Sequence, residues 1–197
     1  MDGFERRKEQ KRDSIRRAAL ELFKVYGFKK VSMRDIARKA DVSQVTIYNH
    51  FGSKDELVRE AIKTLILYSL GKYRSIINGE GTFADKLELI VFDKTDLLSQ
   101  FQGELMQTVI RNYPEMEQFV EAIWQREVNQ LLIDFFEEGR RQGYVNKELS
   151  EEAILVYYEI FRRGIYAKSG LVTTEYSAKL MRELMSLFLN GLMGNKK

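Results

Sequence analysis

The chain has 197 residues, enough for one or two domains at about 150 residues each, and its 44% hydrophobic and 31% charged content is ordinary for a globular protein. Zero Cys and a single His exclude disulfides, thiolate or two-His metal sites and Cys nucleophiles, and suit a reducing, cytoplasmic setting. No apolar run reaches the ~18 residues of a membrane span and the charged N-terminus lacks the apolar core of a signal peptide, so no membrane, metal or cofactor is expected.

Helical periodicity dominates and no stretch alternates with period two, which predicts an all-α fold of about nine helices. The basic leader (Arg6, Arg7, Lys8, Lys11, Arg12) is interrupted by Glu5 and Glu9, and reads as a solvated, frayed helix turn rather than a minor-groove arm. Ile15, Ala18, Ala19, Leu22, Phe23 and Tyr26 then recur at helical spacing, with Gly27 placed as the C′ residue. Ser32 and Asp35 make a capping-box pattern for a short helix carrying Ile36, Ala37 and Ala40. After the turn Asp41-Val42, Ser43 caps a third helix with Val45, Ile47 and Tyr48, which Gly52 breaks. Ser53 and Glu56 spell a full box for a longer helix through Leu57, Ala61 and Leu65 to about Tyr73.

The stretch INGEGT at 77–82 has no period and reads as a loop. Phe83 to about Gln100 is predicted helical, and Gly103 separates it from a short helix ending near Arg111. Pro114 opens a long helix whose stripe is Met116, Phe119, Val120, Ile123, Leu131 and Phe135, stopping at Gly143. Ser150 caps a helix with Ile154, Tyr157, Tyr158, Phe161 and Ile165, in a region ended by Gly170. Thr173 or Thr174 opens the last, with Tyr176, Leu180, Leu184, Leu187, Phe188 and Gly191. The apolar faces of these last two helices exceed what one subunit can cover, and predict a homodimer through them.

The informative stretch is 32–51, SMRDIARKADVSQVTIYNHF. Two short helices joined by a turn of about three or four residues follow the helix-turn-helix pattern, whose second helix enters the DNA major groove. Ile36, Ala37, Ala40, Val42 and Ile47 are inward positions; Gln44, Thr46, Tyr48, Asn49 and His50 face outward with groups suited to base edges or phosphates. With Ile47 and Phe51 filling the inward places, Tyr48 is expected at the surface. For His50, phosphate contact is weighed against plain packing of a helix end on Tyr48. Amides at Ser32, Ser43 and Ser53, expected to be uncapped, offer three helix N-termini to phosphate oxygens. Residues 1–60 hold 15 Lys and Arg against 10 Asp and Glu, giving +5, while the remainder holds 17 against 19, giving −2. A basic N-terminal segment suits an anionic partner there.

AALELF…YGF, S-M-R-D-I-A, V-S-x-x-T-I-Y-x-H-F and G-S-K-D-E-L together make the run from about Lys11 to Leu57 resemble the N-terminal domain of TetR-family (tetracycline-repressor-like) transcriptional regulators. The resemblance implies a DNA-binding domain over 1–52, and an effector-binding and dimerisation domain over 53–197. Gln44, Tyr48 and Arg34 would lie on base edges. Ser32, Thr46, His50 and Lys54 would hold phosphates, and Val45 and Asn49 would flank the base-reading face. One departure is Asp41, where the family usually has Gly; Asp tolerates a left-handed backbone better than most residues, so the motif is expected intact with slight strain. The family's small-molecule effector pocket among the middle helices would draw on Tyr73, Phe101, Glu104, Gln107, Arg111 and Trp124, although core packing is the plainer role of the aromatics. No Gly-rich phosphate loop, nucleophile elbow or second imidazole supports an enzyme. The rival reading is an architectural or partner-protein-binding helical protein with a vestigial motif.

Overall fold

The computed structural model describes residues 3–91, 109, 111–167, 180, 183–184, 186–188 and 190–191. Its α-helices are α1 (Gly3–Tyr26), α2 (Met33–Ala40), α3 (Gln44–Phe51), α4 (Lys54–Ile77), α5 (Phe83–Val91), α6 (Pro114–Ile123), α7 (Asn129–Arg141) and α8 (Glu151–Ala167). No β-strand occurs among the described residues, and the fold is all-α. Among the described residues eight α-helices stand against nine expected; helical residues 109, 111 and 112, and 180, 183–184, 186–188 and 190–191, fall where two more are predicted. The continuation of the fifth predicted helix to Gln100, the break at Gly103, the end at Gly170 and the opening at Thr173 or Thr174 lie outside the described residues.

Compact packing divides the chain into Met1–Tyr68 and Ser69–Lys197, a division that falls inside α4. The expected boundary at 52/53 marked the end of the motif. The first unit buries the helical stripe Ile15, Ala19 and Phe23 of α1 with Ile36, Ile47 and Leu57, Val58, Ala61 and Ile62 of α4. Gly27 ends α1 with φ +73° and bonds its amide to the Phe23 carbonyl at 2.8 Å, as a C′ glycine should.

The second unit is centred on Leu70, Ile77, Phe83, Leu131, Phe135, Phe136, Val145 and Ile154. Thr82 and Asp85 cap α5 reciprocally: the Asp85 amide donates to the Thr82 hydroxyl at 3.2 Å, and the Thr82 amide to the carboxylate at 2.9 Å. Buried Lys86 donates to both oxygens of Glu138 at 2.8 Å, and Gln142 accepts the Phe83 amide at 2.7 Å. Those bonds fasten the start of α5 to the end of α7. Pro114 stands at the first turn of α6 as expected. The long helix from Pro114 is interrupted, however, by a π turn over Trp124–Val128 before α7. Ile123 and Val128 both pack on the core though five residues apart, the step of one π turn. Trp124 stacks on Tyr158 of α8 at 5.3 Å.

Among the described glycines of this unit, Gly139 makes the closest approach. A Cβ there would meet Val145 Cγ2 at 2.7 Å and the Phe83 ring at 2.8 Å, neither the end of a flexible chain. Gly139→Ala gains helix propensity of about 1 kcal/mol but overpacks by about 1–3 kcal/mol. Urea denaturation is expected to show a net loss of stability, and a variant as stable as the parent would contradict this packing.

Candidate nucleic-acid interface

The α2–turn–α3 segment is held by caps at each end. Asp41 ends α2 with φ 53° and ψ 52°, the left-handed conformation usually given to Gly, and is the only non-Gly residue with positive φ among the described residues. The turn closes when the Val42 amide bonds the Ala37 carbonyl at 3.0 Å. Gly52 ends α3 with φ +72°, its amide reaching the Tyr48 carbonyl at 2.7 Å.

The expectation of uncapped amides at Ser32, Ser43 and Ser53 is corrected here. Each serine hydroxyl accepts the amide three residues on: Asp35 at 3.2 Å, Thr46 at 3.0 Å and Glu56 at 3.0 Å. Hydroxyls preceding a helix fold back onto it because that amide has no intrahelical acceptor. At α2 the box is reciprocal, and the bonds from Ser32 hold the Asp35 carboxyl below its usual range. At α4 the box predicted in full is one-sided: the Ser53 amide bonds the Phe51 carbonyl, and Glu56 pairs with Arg59. Only the first amides of each helix therefore remain for an anion.

The outward face of α3 forms as spaced. Gln44, Val45, Tyr48 and Asn49 are exposed, Val45 at 66% and Tyr48 at 49%, on one side of the helix. Thr46 and His50 flank them, half-buried, and Thr46 shares a 2.8 Å hydroxyl contact with Ser43. Ser32 and Arg34 are exposed at the start of α2, and Lys54 is half-buried at the start of α4, where burial lowers its ammonium below the ordinary value. Inside, Ile36, Ala37 and Ile47 are buried, Ala40 and Val42 half-buried. Burial, then the charges of Arg12, Lys8 and Lys11, hold the His50 imidazole below its usual 6.5.

Periodicity alone missed the junction behind this face. Arg12 of α1 donates to the His50 carbonyl and to the Glu60 carboxylate, and its guanidinium lies 4.7 Å from the Phe51 ring centroid. Buried Arg16 reaches the same Glu60 oxygen at 3.3 Å, and also Glu9 and Asp13. Glu60 thus joins α1, the end of α3 and α4. The signal was present: Arg12 and Arg16 stand one turn apart beside the buried Ile15, where an unpaired charge is costly.

Of the effector candidates, Tyr73 and Trp124 are half-buried and Arg111 is exposed; Phe101, Glu104 and Gln107 lie outside the described residues. A cleft among the described residues lies instead between α1 and α2. It is charged, lined by Asp13, Arg17, Glu21 and Lys39, and crossed by a 2.8 Å Lys39–Glu21 ion pair.

Comparison with known proteins agrees with the geometry. Residues 15–61 match the family model described as bacterial regulatory proteins, tetR family. The HTH-type transcriptional repressor KstR2 of Mycolicibacterium smegmatis is 23% identical over 148 residues, spanning 73% of this chain and 72% of its own. Among solved structures, Escherichia coli NemR in its reduced form superposes with a TM-score of 0.71 at 16% identity, over 95% of this chain and all of that one. The fatty acid degradation regulator FadR from Bacillus halodurans superposes with a TM-score of 0.66 at 20% identity, over 92% and 96%. At these identities the superpositions show the fold.

The junction generates a stability test. Glu60→Ala leaves Arg12 with only the longer 3.7 Å carboxylate contact to Glu9 and buried Arg16 with fewer partners, a loss of about 1–3 kcal/mol. Amide exchange in α3 should quicken in the variant, and unchanged protection there would remove Glu60 from its bridging role.

Proposed function

We propose that this chain, which belongs to the TetR family of bacterial regulatory proteins, is a ligand-responsive repressor that binds a near-palindromic operator as a homodimer. DNA-binding regulation is what the family match and the regulator relatives support, and an enzyme's role does not fit them. The observation that carries the reading is the exposed face Gln44, Val45, Tyr48 and Asn49 on a short helix capped at both ends. Arg34 and Tyr48 read base edges with Gln44; Ser32, Thr46, His50 and Lys54 hold phosphates. Repression is favoured because the Mycolicibacterium relative is named a repressor.

Dimerisation is supported by apolar surface left open in the second unit. Val156, Tyr157 and Ile160 are exposed on α8 while Ile154, Tyr158 and Phe161 face the core, and Leu187 of the last helical segment is 65% exposed. A twofold mate covers such a face with its own copy. Ligand response runs through α4, which begins beside the motif and continues into the second unit. Coupling of about 1–3 kcal/mol would change DNA affinity roughly 5–150-fold, with the DNA changing ligand affinity equally. The aromatic residues Tyr73 and Trp124 favour an apolar or aromatic effector.

Selection of duplexes by the parent chain from a random-sequence pool tests this directly. Enriched sites should carry two inverted half-sites about one helical turn apart or slightly more. Tyr48→Ala should cost about 1–3 kcal/mol on selected sites and little on scrambled ones. Lys54→Ala should weaken both alike and lower the salt slope by about one. Enrichment without a discrete site would favour the architectural reading.

A proton should accompany binding. His50 is held below 6.5 in the free chain, and a phosphate beside it favours the charged imidazole, so its pKa is lower free than bound. Protons are then taken up on binding, and affinity rises as pH falls from about 7.5 toward 6, by at most about one proton per protomer. His50→Gln should flatten that profile; a profile unchanged in the variant would take His50 off the phosphate list.

A further inference from the structure

The first turns of α1 have no role in the reading above. α1 begins at Gly3, well before the first core residue at Ile15, and residues 3–11 are all exposed. At about 1.5 Å per residue, Gly3 to Lys11 adds about 13 Å of helix beyond the core. The direction of this overhang follows from helical register. The buried stripe Phe23, Ala19, Ile15 continues N-terminally through Arg12, Lys11 and Lys8 by steps of three and four. Arg12 marks where that stripe meets the end of α3, since it bonds the His50 carbonyl and covers Phe51. Lys8 and Lys11 therefore run on from the recognition helix on the side of His50, where the stripe changes from apolar to charged, with Glu5 beyond Lys8.

The overhang carries acids among its bases, and Glu5 stands one turn from Lys8 on the stripe side. Glu9 turns back to Arg16 and Arg12, and Arg6 lies on the opposite side of the helix. Lys8 and Lys11 lie on the His50 side, close enough that their charge disfavours the imidazolium, an effect that Glu9 opposes more weakly. Like charges gathered beside a half-buried imidazole oppose one another in the free chain, and a polyanion removes that repulsion.

We infer that the α1 overhang is a second phosphate-binding element, in which Lys8 and Lys11 hold the DNA backbone flanking the groove entered by α3. This rests on the DNA-binding reading and extends its footprint beyond the helix-turn-helix. The contact is with phosphate and carries no sequence information. Arg12 is kept out of it by Glu60 and positions the overhang instead.

The test compares three double variants on two duplexes, one enriched by the parent from a random pool and one scrambled, between about 50 and 200 mM salt. Lys8→Gln with Lys11→Gln should weaken both duplexes alike and lower the salt slope by nearly two per bound protomer, about 0.9 for each phosphate released. Lys8→Arg with Lys11→Arg should keep the parent slope. Arg6→Gln with Arg17→Gln removes two charges from the opposite face and should change the slope far less. Phosphate-ethylation interference should vanish at the outermost sites in the first variant alone. All substituted positions are exposed, so thermal unfolding should match the parent. An unchanged slope in the Lys8/Lys11 variant overturns the inference, and so does an equal loss in the Arg6/Arg17 variant. A parent that enriches no duplex overturns the DNA reading and the inference with it, an outcome distinguished by the parent's behaviour alone.

Discussion

An eight-residue helix does not persist in water by itself, because an isolated helix is marginal below about 12–15 residues. α2 and α3 are both eight residues long, so their existence depends on what is bonded to their ends and pressed against one side. Ser32 and Ser43 hold the starts, Asp41 and Gly52 the ends, and Ile36 and Ile47 sink into the α1 and α4 stripes. The consequence for binding is preorganisation: the α3 face presents its hydrogen-bonding groups without first having to fold. The chain accepts a strained backbone at Asp41 for this, a conformation that disfavours most L-residues by about 1–2 kcal/mol.

Local features were legible in the sequence because their causes are local. Gly27, Ser32, Ser43, Pro114 and Ser150 announce helix ends within a few residues, and the 3.6-residue period separates Tyr48 and Asn49 from Ile47. What the period could not supply was pairing across the chain. Arg12 and Glu60 are 48 residues apart, and Lys86 and Glu138 are 52 apart; nothing local chooses between those partners and any other carboxylate. The uncapped amides were misjudged for a related reason, since a serine read as a ligand group is first a partner for its own helix. The π turn escaped because an apolar stripe survives one inserted residue almost unchanged; only the five-residue step from Ile123 to Val128 betrays it. The candidate interface was thus readable as a surface, and the bonds that hold the surface in place were not.

The two units solve the same packing problem by different chemistry. Behind α3 a cluster of partly buried charges, Arg12 and Arg16 about Glu60, joins three helices. Around α5 and α7 the pair is inside: Lys86 gives two hydrogen bonds to one carboxylate, and Gln142 ties that carboxylate to the helix start above it. A buried charge of this kind is tolerable only when its partners are complete, which sets the register between α5 and α7 tightly. Gly139 adds a steric condition to the same contact.

The stack of Trp124 on Tyr158 has an optical consequence. Trp124 is the chain's single tryptophan, and it belongs to the second unit. Its emission reports the packing of the second unit, whereas far-ultraviolet ellipticity draws on the helices of both units. Two signals from one sample are therefore separately assigned by composition alone, and their coincidence or divergence during melting states whether the chain unfolds as one cooperative body or as two.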